Sequence, residues 1–180
     1  MKRIVSILFI IIFLPISLHA YKSPGKPQGF VSDYAKVIDQ QTESELNTSL
    51  QNLSKEKGIE IAVVTVNDLD NDTVENFAVK LFEEWGIGNK ENDSGILFLI
   101  APNERQVRIE VGYGMESTVT DLISNQIIQK VMIPRFKEDN YSKGIKDGVL
   151  TTIGIINKTV DSATFTSDNK GNLSILKHIN

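Results

Sequence analysis

The sequence predicts a single α/β domain, a three-layer α/β/α sandwich around a small mixed sheet, and three observations carry that expectation. Two runs, IEIAVVTV at 59–66 and SGILFLIA at 94–101, are apolar on both faces and rich in β-branched residues, as strands covered on both sides must be. Between them, Val74, Phe77, Ala78, Leu81, Phe82 and Trp85 recur at helical spacing. After the PNER turn, QVRIEV at 106–111 alternates apolar and polar side chains, as expected for the returning arm of an antiparallel hairpin.

The elements follow in order. Residues 1–20, MKRIVSILFIIIFLPISLHA, combine two basic residues, an apolar stretch and a terminal small residue, and read as a secretory signal with cleavage after Ala20. Residues 21–29 carry two prolines and two glycines and form an extended lead-in. The domain proper spans 30–158. Asp39 is placed to cap a helix over 40–57, with Leu46, Leu50 and Leu53 on its buried stripe and Gly58 as its stop. The central helix is predicted to start at Asp72, whose spacing to Glu75 matches a capping box. Beyond the hairpin, a helix is expected from about 121 to 132, ended by Pro134, and a last one from 141 to 158 with Ile145, Val149, Ile153 and Ile156 inward. Residues 159–180 form a polar tail in which LSILKHI suits a short strand.

Composition excludes more than it suggests. The 180-residue chain has no cysteine, which removes thiol catalysis, cysteine-based metal sites and disulfides. One of its two histidines, His19, leaves with the leader, and the other, His178, lies near the C-terminus, so a Ser-His-Asp triad is not expected. The leader holds two of the 19 basic residues and none of the 23 acidic ones, so the remainder carries a formal charge of −6. That sign disfavours nucleic acid and anionic lipid and suits cations. Carboxylates, amides and hydroxyls remain, the ligands of hard ions such as calcium and magnesium.

Topology then indicates where acidic residues meet. A helical crossover makes the first two long strands parallel and the hairpin reverses the third. Asp93, just before the second strand, therefore shares a rim with Gly112, Tyr113, Gly114 and Glu116, just after the third, and Asp121 follows at the next helix start. These acids form either a cation site walled by Tyr113, or a solvated strand exit in which Asp121 or Thr120 caps the helix. A second acidic cluster, Asp68, Asp70 and Asp72, lacks the glycine and glutamate of a calcium loop and reads as a solvated turn at the opposite rim. Gly112-x-Gly114 lacks the third glycine of a dinucleotide fingerprint.

Four blocks, VSDYAKVID (31–39), LFEEWGIGNKENDSGILFLIA (81–101), VRIEVGYGMESTVTD (107–121) and IIQKVMIPRFKEDNYSKGIKDGV (127–149), resemble the successive blocks of a TPM domain in order and spacing. The resemblance implies an α/β/α sandwich, exported or lumenal residence, association with calcium or another divalent cation, acid phosphatase activity in some members, and a role in assembly or repair of membrane complexes. Carried over by position, it marks Asp33, Asp93, Glu116 and Asp121 as metal ligands and Trp85, Gly86, Gly88, Gly112 and Gly114 as packing residues. Met115 stands where family members more often carry leucine, a volume-conserving change. Many bacterial relatives continue into a transmembrane segment, whereas this chain continues into a polar tail, so no stable anchor is expected after cleavage.

The leading functional expectation is an exported, divalent-cation-binding accessory or maintenance module for envelope or membrane proteins, binding Ca2+, with Mg2+ or another hard divalent cation as alternative. One alternative is a metal-dependent phosphomonoesterase in which Arg108 or Arg105 steadies the phosphate. Another is a scaffold that binds no metal.

Overall fold

A computed structural model describes residues 21–88, 92–161 and 163. The expected leader and the short strand of the tail lie outside the described residues. The elements run β1 (Val31–Asp33), α1 (Gln40–Lys57), β2 (Glu60–Thr65), α2 (Val74–Trp85), β3 (Gly95–Ala101), β4 (Gln106–Val111), α3 (Asp121–Gln126), α4 (Ile133–Phe136) and α5 (Tyr141–Ile156). A 3₁₀ turn at Tyr113–Met115 follows β4, and a π-helical segment, Ile127–Met132, joins α3 to α4.

The sheet order is β1-β2-β3-β4, with β1, β2 and β3 parallel and β4 antiparallel to β3. The strand β1 has no counterpart among the elements predicted from the sequence. Three residues are too few for a periodicity signal; Val31 and Ser32 become strand by pairing with Val63 and Val64.

Alternate side chains of the two central strands build two cores. Ile61, Val63, Ile96, Phe98 and Ile100 join Leu46 and Leu50 of α1 and Ile145 and Val149 of α5. Ala62, Val64, Leu97 and Leu99 face α2 through Phe77, Ala78 and Leu81. The result is the expected three layers, with α2 covering one face and the other helices the opposite face. Both crossovers, β1-α1-β2 and β2-α2-β3, step the same way across the sheet to opposite faces. They are therefore of opposite hand, a departure from the near-uniform right-handedness of such connections.

Helix ends follow side-chain chemistry. Asp39 accepts from the Thr42 backbone N–H at 2.9 Å, and Gly58, in the left-handed region, closes α1 by donating to Ser54. At α2 the expected cap is displaced by one residue. Thr73 accepts from the Asn76 N–H, while the Asp72 carboxylate turns to the Asn76 side chain and Lys80. Nor does Pro134 end its helix. Ile133 donates to the carbonyl of Ile128, five residues back, and the chain continues helically through Pro134 to Phe136. The wider π turn sets a new register in which Pro134 occupies the first turn of α4, where a missing N–H costs nothing.

Candidate functional site

The sheet has two rims. The first gathers the C-terminal ends of β1, β2 and β3 and the start of β4; the second gathers the opposite ends. At the second rim, the residues before β3 pack backbone to backbone against those after β4. Gly114 donates to the Asp93 carbonyl at 3.2 Å, and Gly112 to the Gly95 carbonyl at 2.8 Å. A β-carbon at Gly112 would stand 2.3 Å from the Asp93 carbonyl oxygen, and one at Gly114 only 1.9 Å from that of Asn92. The Gly-Tyr-Gly motif is thus a close-approach device, because only hydrogen fits where the two chains touch.

This contact brings the Asp93 segment beside the 3₁₀ turn. Met115 and Val119 anchor that turn in the core, while Glu116 is exposed. Thr120 caps α3, accepting from Ile123 at 3.3 Å, which leaves the exposed Asp121 side chain uninvolved in the cap. Tyr113 points outward with 80% of its surface exposed, and Leu122 is 54% exposed. The rim therefore combines three exposed carboxylates with two exposed apolar side chains. Among the described residues, no three of His, Cys, Asp or Glu are grouped so as to hold a metal. Asp93, Glu116 and Asp121 share a rim without forming a ready-made cation cage.

Asp33 does not belong with them. It ends β1 opposite Thr65, which itself pairs with Ile100 near the end of β3. Asp93 precedes the start of β3, so the length of that strand, roughly 20 Å at ~3.3 Å per residue, separates the two. The expectation that Asp33 joins the other three as a ligand is corrected accordingly. Its carboxylate accepts from the Thr65 hydroxyl at 2.5 Å, the Val37 N–H at 3.2 Å and the Ile38 N–H at 2.8 Å. These bonds shape the turn from β1 into α1.

Arg108 lies within β4, paired to Glu110 at 2.8 Å, and Arg105 lies in the turn at the first rim. In the second acidic cluster, Asp70 pairs with Lys22 at 3.7 Å and Asp72 with Lys80 at 3.8 Å. Trp85 packs against the α2 core and donates from its ring N–H to the Gly25 carbonyl at 3.0 Å, holding the lead-in segment.

A TPM domain family model matches residues 31–155, nearly all of the sheet and its helices. The chain belongs to the TPM-domain family. Solved TPM-like structures agree. The N-terminal domain of a protein from P. gingivalis, solved by solution NMR, is 30% identical over 79% of this chain and 88% of that one, with a TM-score of 0.67. The N-terminal domain of cg2496 from Corynebacterium glutamicum is 16% identical over 86% of this chain and 92% of that one, with a TM-score of 0.56. The BA42 protein of the psychrophilic Bizionia argentinensis is 19% identical over 67% and 82%, with a TM-score of 0.57. The last two support the fold alone. Comparison with curated proteins finds no match. In this TPM domain, no helix among the described residues is long and apolar enough to cross a membrane.

Proposed function

We propose that this TPM domain is an exported accessory module that engages envelope or membrane proteins through its second rim and recruits a hard divalent cation there, calcium ahead of magnesium. The observation that carries the reading is the company kept by the carboxylates: Glu116 and Asp121, with Asp93 nearby, stand exposed beside the exposed Tyr113 and Leu122. An apolar pair flanked by acids suits a protein surface better than an enclosed substrate. The N-terminal signal pattern supports export.

Carboxylates on separate segments, not already gathered, imply weak cation affinity, in the range of about 0.1–1 mM found for extracellular calcium modules. Calorimetric titration of calcium, then magnesium, into the metal-free protein tests this. The expected result is saturable binding in that range, lost in a Glu116→Gln, Asp121→Asn double variant. Binding unchanged in the variant would remove the rim from consideration. No binding in either protein would leave a docking surface that uses no cation.

A further inference from the structure

The first rim carries a cleft of about 400 Å³ between the β3–β4 turn and the α4–α5 corner, for which the cation reading has no use. Ile100, Val107 and Ile133 line it, with Phe136 and Tyr141 as an aromatic wall. Those two rings stack at 4.8 Å with 24° between their planes. The Phe136 ring is seated against Gly144, where a β-carbon would come within 2.6 Å of it. The wall is therefore built before any ligand arrives. Its volume lies within the range of small-molecule pockets and is small for a folded partner.

Charge at this cleft differs from that of the rest of the molecule. Arg105 and Lys137 both line it, and neither has a carboxylate partner among the described residues. Arg108 and Arg135, by contrast, are each paired with acids. On a chain of net charge −4, a lining that sets two cations against one acid beside an apolar wall is a local exception. Asp139 lines the same cleft and offsets one of them. Arg105 (φ 55°) and Asp139 (φ 54°) both hold left-handed backbone conformations that L side chains rarely adopt. Each is fixed by a turn hydrogen bond, Arg105 to the Pro102 carbonyl at 3.2 Å and Asp139 to the Phe136 carbonyl at 3.0 Å.

We propose that this cleft binds a small amphipathic monocarboxylate, an alkyl or aryl acid whose hydrocarbon body lies on the Phe136–Tyr141 wall and whose carboxylate is held by Arg105 and Lys137. The guanidinium fork matches a carboxylate in a bidentate manner. The residual charge of two cations and one anion favours a singly charged head group over a phosphate dianion. The apolar lining excludes small inorganic anions as the preferred occupant.

Octanoate is a suitable probe, titrated into the 15N-labelled protein and followed by amide shifts. Saturable shifts are expected at residues 105–107 and 136–141. Octan-1-ol, with the same tail and no charge, should bind at least about tenfold more weakly, and Arg105→Gln should weaken octanoate by about tenfold, the scale of one charged hydrogen bond. Arg105 is exposed, and the spectrum of the variant itself reports whether the fold is intact. Equal binding of the alcohol, or indifference to Arg105→Gln, would overturn the anion site. Tighter binding of octyl phosphate would overturn the carboxylate assignment. Shifts confined to residues 113–122 would move any binding to the other rim. Because the two rims are separate, this result is independent of the cation titration.

Discussion

Asp39 illustrates how one side chain fixes an element and sets a pH response. The Thr42 N–H bond, then the hydroxyls of Ser142 and Thr42, push its carboxyl down to about 2. Glu45 is also lowered, chiefly by its hydrogen bond with Lys146 of α5. For groups lowered on folding, the stabilisation is fully present above the ordinary carboxylate range and is lost as pH falls through the folded value. Thermal stability followed by circular dichroism should therefore decline from about pH 4 toward about pH 2. An Asp39→Asn variant keeps a cap acceptor but cannot titrate, so it should show a shallower decline. At Asp72 the sequence pattern misleads, because a threonine one residue later offers the same acceptor and the carboxylate finds Lys80 and Asn76 instead.

At the scale of elements, α1 coincides with its expected bounds because cap, stripe and stop all agree, whereas the segment after α3 is governed by packing. The π turn sets Met132 against Gly148 of α5, and Arg135 of α4 reaches Asp147. Asp147 is only 7% exposed and also pairs with Lys143 at 3.1 Å. Removing a buried carboxylate strands its cationic partners, at a cost of about 3–5 kcal/mol when all are buried. Here Arg135 and Lys143 are 23% and 48% exposed, so Asp147→Ala should cost less, about 2 kcal/mol in urea unfolding. A loss within a few tenths of zero would mean that the clasp between α4 and α5 contributes nothing to stability.

The whole molecule has two cores that share one sheet. Because Ala62 and Val64 face one core while Ile61 and Val63 face the other, neither layer has a sheet of its own to unfold from. The domain should unfold in one transition. Phe77→Ala, on the α2 side, and Leu50→Ala, on the α1 side, should each shift that single transition by about 2–5 kcal/mol, with tertiary and secondary probes coincident. Two separated transitions in either variant would show that the layers are energetically distinct.

By itself, the sequence determined the three layers, the hairpin, the helix stripes and the meeting of the Asp93 segment with the Gly112–Gly114 turn, because those depend on local periodicity and on the connectivity of neighbouring strands. Tertiary structure decided what periodicity cannot encode. The strand β1 exists only through its partner, and the register of β1 with β2 sends Asp33 to the rim opposite Asp93. Backbone contact at Gly112 and Gly114 fixes how the shared rim is assembled. The cleft at the first rim arises where segments some 30 residues apart meet, and no run of sequence holds both its aromatic wall and Arg105. The side of the sheet each crossover takes is likewise a choice of the packed whole, since α2 fills the face that the other helices leave open.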